Sequence, residues 1–167
     1  MAQAEKYALI ENERRFLLLP VDEEMTLDLP RRAILDNYIP GTNLRLREMD
    51  NAGEKVYKLT KKTTLSPGRE KITTIYLSQE EYQLLTQLQA IVVSKIRFIM
   101  THYELIIGID RYGNKGNELW VAEVEFETEE QMNAFVMPIP YQTEVTGKNE
   151  FSGLALANRF GRQNQRF

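Results

Sequence analysis

The sequence predicts an α+β fold that is mainly β: about eight strands in an antiparallel sheet, able to close into a barrel, with a few helices packed outside. Three observations support this. Segments with strand-like alternation follow one another through short turns, without the long crossovers that parallel strands need. Helical signals are few and brief. Charged residues also recur two apart on one strand after another: Glu11 and Glu13 followed by Arg15, Arg45 with Arg47, Lys95 with Arg97, Glu123 with Glu125. Residues two apart in a strand share a face. Each pair therefore puts its charges on one side, while Ile10, Leu44, Leu46, Ile96, Phe98, Val124 and Phe126 put apolar groups on the other. Closing such a sheet removes its edges and gathers the charges in a polar interior suited to a multiply charged guest.

The elements follow in order. Residues 7–19 read as a first strand, and 20–31, bracketed by Pro20 and Pro30 and rich in acids, as a loop. Residues 32–39 fit a strand or a helical turn, since periodicity does not separate the two. Strands near 43–50 and 54–62 flank Asp50-Asn51-Ala52-Gly53, a good hairpin turn. Ser66-Pro67-Gly68 is a second turn before a strand at 69–77. Ser78 and Glu81 form a capping box that opens a helix to about Gln89, with Tyr82, Leu85 and Leu88 at helical spacing. Residues 91–101 and 103–112 read as a strand pair, and 118–127 as a further strand after the glycine-containing loop 113–117. Thr128 and Gln131 cap a short helix to about Val136. Pro138 and Pro140 break the chain before a last helix near 151–159, and the polar tail from Arg162 reads as loose.

At 167 residues the chain is expected to be one domain with a substantial core, spanning about 7–158. No apolar run approaches the roughly 18 residues of a membrane span, and the start lacks the basic and apolar stretches of a signal peptide. With no cysteine, neither disulfides nor thiolate metal sites contribute, and a cytoplasmic protein is expected. A net charge of −3 argues against general nucleic-acid binding. It does not exclude an electropositive concavity, in which Lys58 and Arg69 would join the paired bases.

Any single charge pair also fits the solvated face of an antiparallel strand. The set as a whole, with acids and bases mixed on strands far apart in sequence, points instead to an enclosed polar site. Paired carboxylates suit hard divalent cations such as Mg²⁺ or Mn²⁺. Arginines bind phosphate oxygens as forks and lysines as point charges. Together they suit a metal-bound polyphosphate. Other motifs carry little: there is no phosphate-binding Gly-rich loop, His102 is the sole histidine and reads as a surface residue, Trp120 reads as core, and Ser152 has no triad.

Several motifs, in order, resemble the CYTH domain, or triphosphate tunnel metalloenzyme, superfamily. Glu11-Asn12-Glu13-Arg14-Arg15 resembles its N-terminal Glu-x-Glu-x-Lys, with Arg15 in place of the lysine. Arg45-Leu46-Arg47 resembles its arginine strand, Tyr57-Lys58-Leu59-Thr60-Lys61 its Leu-Thr-x-Lys strand, and Lys95-Ile96-Arg97-Phe98 its Lys-x-Arg-Tyr segment. Ile109-Asp110 and Glu123-Val124-Glu125 resemble its late acidic strands, and Glu144-Val145-Thr146 with Leu154-Ala155-Leu156-Ala157 its C-terminal close. The resemblance implies an eight-stranded antiparallel tunnel that binds a triphosphate-bearing small molecule and Mg²⁺ or Mn²⁺, with a homodimer left open. It implies Glu11, Glu13, Glu123, Glu125 and, more weakly, Asp110 as metal ligands. It implies Arg15, Arg45, Arg47, Lys58, Arg69 and Arg97 as substrate-binding residues, and Lys95 as the group that helps activate water.

One departure bears on chemistry. The fifth strand commonly reads Arg-x-Glu-x-Glu in the family, whereas this chain has Arg69-Glu70-Lys71-Ile72-Thr73. In that register Lys71 and Thr73 replace two interior acids and Glu70 faces outward unless a bulge re-aims it. The resemblance as a whole makes a metal-dependent triphosphate hydrolase the expected function, while this departure favours a member that binds without turnover. The alternatives are a non-catalytic polyphosphate- or nucleotide-binding module and a class IV adenylate cyclase.

Overall fold

Period-two alternation becomes strand almost everywhere it occurs, and the strands close on one another. The computed structural model describes residues 6–21 and 23–164. Its barrel strands are β1 (Leu9–Leu18), β2 (Arg31–Tyr38), β3 (Leu44–Asn51), β4 (Glu54–Ser66), β5 (Arg69–Leu77), β6 (Ala90–His102), β7 (Leu105–Tyr112) and β8 (Leu119–Phe126). Neighbours run in the order β6-β2-β3-β4-β5-β1-β8-β7, and the β6–β7 pairing closes the ring. The ambiguous segment at 32–39 is strand β2 because both β3 and β6 pair along its length. Ala52 and Gly53 both take positive φ, the two-residue turn that matches the twist of a hairpin, and Asp50 Oδ1 accepts from the Gly53 amide at 2.6 Å.

Two apolar clusters hold the barrel. On the outside, Phe16, Phe98, Ile107, Ile109, Trp120, Val124 and Phe126 are buried beneath α3 (Glu129–Ala134) and the segment that follows it. Each such side chain contributes about 1.5–3 kcal/mol of burial. Trp120 belongs to this layer, stacked on Phe98 with ring centroids 5.8 Å apart. The second cluster lies inside: Val93, Tyr112 and Val121, on the same strand faces as Lys95, Asp110 and Glu123, pack against Leu156 and Ala157 of α4 (Gly153–Phe160). This helix closes one end of the barrel rather than packing outside it. Helix α2 (Gln79–Leu85) does pack outside, stacking Tyr82 on Tyr57 of β4.

Other departures are local. A one-turn helix α1 (Glu23–Thr26) interrupts the expected loop, and α2 ends at Leu85 rather than near Gln89. Both capping boxes are present. Two short strands escaped the alternation test because three or four residues hold too little of it. Strand β9 (Tyr141–Glu144) pairs with β1, and β10 (Arg162–Asn164) pairs with β6 where a loose tail was expected. The expectations for residues 1–5 and 165–167 fall outside the described residues.

Candidate functional site: a charged tunnel

The inner faces of β1, β3, β4, β5, β6 and β8 enclose a cavity of about 310 Å³. Tyr38 of β2, Tyr112 of β7, the turn between β2 and β3, and the strap 145–154, which runs from β9 into α4, also line it. Two adjacent residues of β1 anchor the strap and the β9 end that leads into it. On the outer side, Arg14 binds Glu144 through both arms (2.9 and 2.8 Å) and donates to the Met132 and Phe135 carbonyls. On the inner side, Arg15 donates to the Phe151 carbonyl.

One side of the cavity is basic. Arg45 and Arg47 of β3, Lys95 and Arg97 of β6, and Arg15 of β1 all line it. Behind them stand buried acids. Asp36 of β2 takes a two-armed bond from Arg47 (2.6 and 2.8 Å) and lies 3.8 Å from Arg45 Nε. Asp110 of β7, fully buried, accepts from Lys95 and through both oxygens from Arg97 (2.6 and 2.7 Å). Lys95 also donates to the Tyr112 hydroxyl at 3.2 Å. Glu123 joins Arg97 to Arg15, the latter at 2.7 Å. Burial alone would raise the Asp36 carboxyl, but Arg47 and Arg45 outweigh it and hold it below the usual range. Burial likewise opposes ionisation of Glu123, yet Lys95, Arg97 and Arg15 keep it well below. Gly108 allows this layer: a Cβ there would meet the Arg97 side chain at 3.0–3.1 Å, so the guanidinium lies against bare backbone.

The facing side is acidic. Glu11 and Glu13 of β1, Glu70 of β5 and Glu125 of β8 converge there. Three of them share Lys62 of β4, whose Nζ is 2.6 Å from Glu11, 3.7 Å from Glu13 and in contact with Glu70, and Arg15 Nε also lies 3.7 Å from Glu13. Burial pushes the Glu13 carboxyl up, and the charge of Glu123 adds to it. Partial burial and the charges of Glu11, Glu13 and Glu123 push Glu125 up as well.

Nine of the sequence-derived residues thus meet in one cavity: Glu11, Glu13, Arg15, Arg45, Arg47, Lys95, Arg97, Glu123 and Glu125. Three do not. Arg69 points outward to Glu129 at the head of α3, 2.8 Å away. Lys58 shares the inner face but lies over the Tyr76 ring, 4.9 Å from its centroid, beyond the cavity. Asp110 stands behind the bases, its oxygens engaged by Lys95 and Arg97. The fifth-strand expectation is corrected by register. Glu11 pairs with Glu70 and Ile10 with Lys71, which turns Glu70 inward and Lys71 and Thr73 outward. A bulge at Leu65 and the Gly68 turn set this register. Gly68 has φ +75°, and a side chain there would strike the Glu13 carbonyl at 2.8 Å.

No family model and no curated protein sequence matches the chain. Two crystal structures of NE1496, an inorganic triphosphatase, superpose with a TM-score of 0.55 at 23% identity, covering 88% of this chain and 97% and 93% of theirs. A proposed adenylate cyclase from Bacillus halodurans gives a TM-score of 0.53 at 16% identity, covering 83% of this chain and 97% of its own. The likeness is one of fold: the barrel shares its architecture with these two proteins.

Sequence reasoning missed three residues of this tunnel. Lys62 had a signal, since Leu59-Thr60-Lys61-Lys62 keeps the Leu-Thr-x-Lys spacing with Lys62 at its end. Asp36 sat in the segment whose periodicity was ambiguous, and Glu70 was hidden by the bulge. The resemblance seen in the sequence implies a divalent metal, and the acid side offers the all-oxygen carboxylate donors such an ion prefers. Among the described residues no three of these groups already converge on a metal position. The Lys62 ammonium lies among them instead. The donors therefore fit the ion in kind, once Lys62 moves aside.

Proposed function

We propose that this chain is a divalent-metal-dependent hydrolase of a triphosphate-bearing small molecule, with the CYTH tunnel as its active site. One observation carries the reading: Arg15, Arg45, Arg47, Lys95 and Arg97 face one cavity, opposite a separate group of glutamates in that same cavity. A single-sign patch suits many anions. A basic wall facing an acidic one suits an anion that arrives with a cation.

The basic wall binds the phosphate chain. Asp36, Asp110 and Glu123 hold the guanidinium forks in place before substrate arrives, so little reorganisation is left for the reaction. Water attacks the terminal phosphorus, its bond to the bridging oxygen breaks, and the arginines stabilise the negative charge growing on that leaving oxygen. In this reading Lys95, held by Asp110 and Tyr112, orients the water. Glu11, Glu13, Glu70 and Glu125 would hold Mg²⁺ or Mn²⁺, which when bound supplies further charge neutralisation to the phosphate oxygens.

Phosphate release from tripolyphosphate, ATP and thiamine triphosphate, with Mg²⁺ or Mn²⁺ and with chelator, tests this. Metal-dependent release from at least one is the expected result. Absence of release from all three overturns the hydrolase. Thermal stabilisation by tripolyphosphate without turnover would then identify a binding module, and cyclic AMP formed from ATP a cyclase.

A further inference from the structure

Glu11 and Glu70 are directly opposed across β1 and β5, with Glu13 two residues along the same inner face. Like charges in directly opposed positions repel, so this strand pair calls for a cation. The nearest base on the β4–β5 side is Lys62, which reaches across β5 to touch Glu11 and Glu70 and approach Glu13. Its cross-strand partner on β5 is Ile72, so no acid directly opposite competes for the ammonium. Its side chain is 27% exposed and opens onto the same cavity as Arg45 and Arg47. A flexible lysine stem in that place can turn from carboxylate to phosphate.

We propose that Lys62 is a tethered counter-cation that competes with a divalent ion for Glu11, Glu13 and Glu70 and so couples metal binding to triphosphate binding. A divalent ion must displace the ammonium from Glu11, Glu13 and Glu70, so the ion alone binds weakly. A triphosphate offers the displaced ammonium a new partner, so each ligand raises the affinity for the other by the same factor. The phosphate half of this coupling rests on the triphosphate reading above. The competition between Lys62 and the metal does not.

The test therefore uses Mn²⁺ alone, followed by the electron paramagnetic resonance signal of the free ion. Lys62→Met and Lys62→Gln are expected to bind Mn²⁺ at least tenfold more tightly than wild type. Lys62→Arg should stay weak, and Lys62→Met combined with Glu70→Gln should lose the gain. Lys58→Met removes the same charge from the same strand outside the cavity and should give no gain. Circular dichroism checks that each variant is folded, and two neutral variants guard against one failing to fold. Unchanged or weaker binding in the neutral variants overturns the proposal, as does an equal gain in Lys58→Met. With no phosphate in the cell, the result stands whether or not the protein hydrolyses a triphosphate.

Discussion

On the β2–β3–β6–β7 side of the tunnel, acids stand behind the cavity-facing bases: Asp36 behind Arg47 and Arg45, and Asp110 behind Lys95 and Arg97. On the β1–β5 side, Glu11, Glu13 and Glu70 share one lysine, and Glu125 feels three neighbouring carboxylates. The first side is rigid and neutralised from behind, so its forks keep their aim with or without a guest. The second is left short of positive charge and can take up a cation. Under the proposed function the two walls divide the work: the charge of the phosphate-binding wall is fixed at folding, and that of the metal-binding wall would be completed on binding.

The largest expected effect falls where the walls meet. Glu123 accepts from both Arg15 and Arg97 and fixes their aim, so Glu123→Gln is expected to lower metal-dependent phosphate release by about 10²–10³-fold, the range for a charge-stabilising donor put out of place. An unchanged rate would break the comparison at its hinge. Next is Asp36→Asn, which leaves Arg47 buried without its counter-ion. Denaturant unfolding should show a loss of about 3–5 kcal/mol. On the acidic wall, Glu70→Gln removes one of two opposed like charges and should change the stability of the metal-free protein by less than about 1 kcal/mol. Equal losses in the two variants would mean that the walls are not differently neutralised.

Acid titration sharpens the same contrast. The Asp36 carboxyl is held low in the folded state, so its stabilisation is fully present above the usual carboxylate range. It is lost as pH falls through and below that range, where the unfolded chain takes up a proton that the folded protein still refuses, and the loss is complete once the folded carboxyl is protonated too. Wild type should therefore lose stability steeply on that acid limb. Asp36→Asn, already less stable at neutral pH, should lose less there. Parallel unfolding curves against pH would assign the acid limb to other groups.

Much of this contrast was legible in the sequence, because period two is a strict rule and the inner charges obey it on β1, β3, β6 and β8. What stayed hidden had physical causes. β2 is buried on both faces, with Ile34, Asp36 and Asn37 all inaccessible, so it shows no clean alternation and its acid went unread. β5 offers two amphipathic registers, Arg69-Lys71-Thr73 or Glu70-Ile72-Thr74, and a slip of one residue exchanges them. Only the Leu65 bulge and the Gly68 turn decide between them. Asp110 was visible as an acid, but its place behind the bases depends on pairing between β6 and β7 that no single strand reveals.

The smaller predictions separate residues that share a face from residues that share the cavity. Arg45→Ala should weaken tripolyphosphate binding, measured calorimetrically, by about 1.5–3 kcal/mol, the range for hydrogen bonds to charged groups. Lys58→Ala is the smallest change. Lys58 alternates inward on β4 just as Lys62 does and pairs directly with Arg47 across β3. Period two alone would give it an equal claim on phosphate. Its ammonium instead lies over Tyr76, a ring that is 71% exposed at the outer end of the β4–β5 hairpin. There its charge is screened by solvent and makes no fixed contact with the guest. Binding should therefore shift by no more than about 0.5 kcal/mol, the ordinary range for a surface substitution. A loss as large as that of Arg45→Ala would extend the basic wall one residue further along β4 and place the phosphate chain closer to the open end of the tunnel.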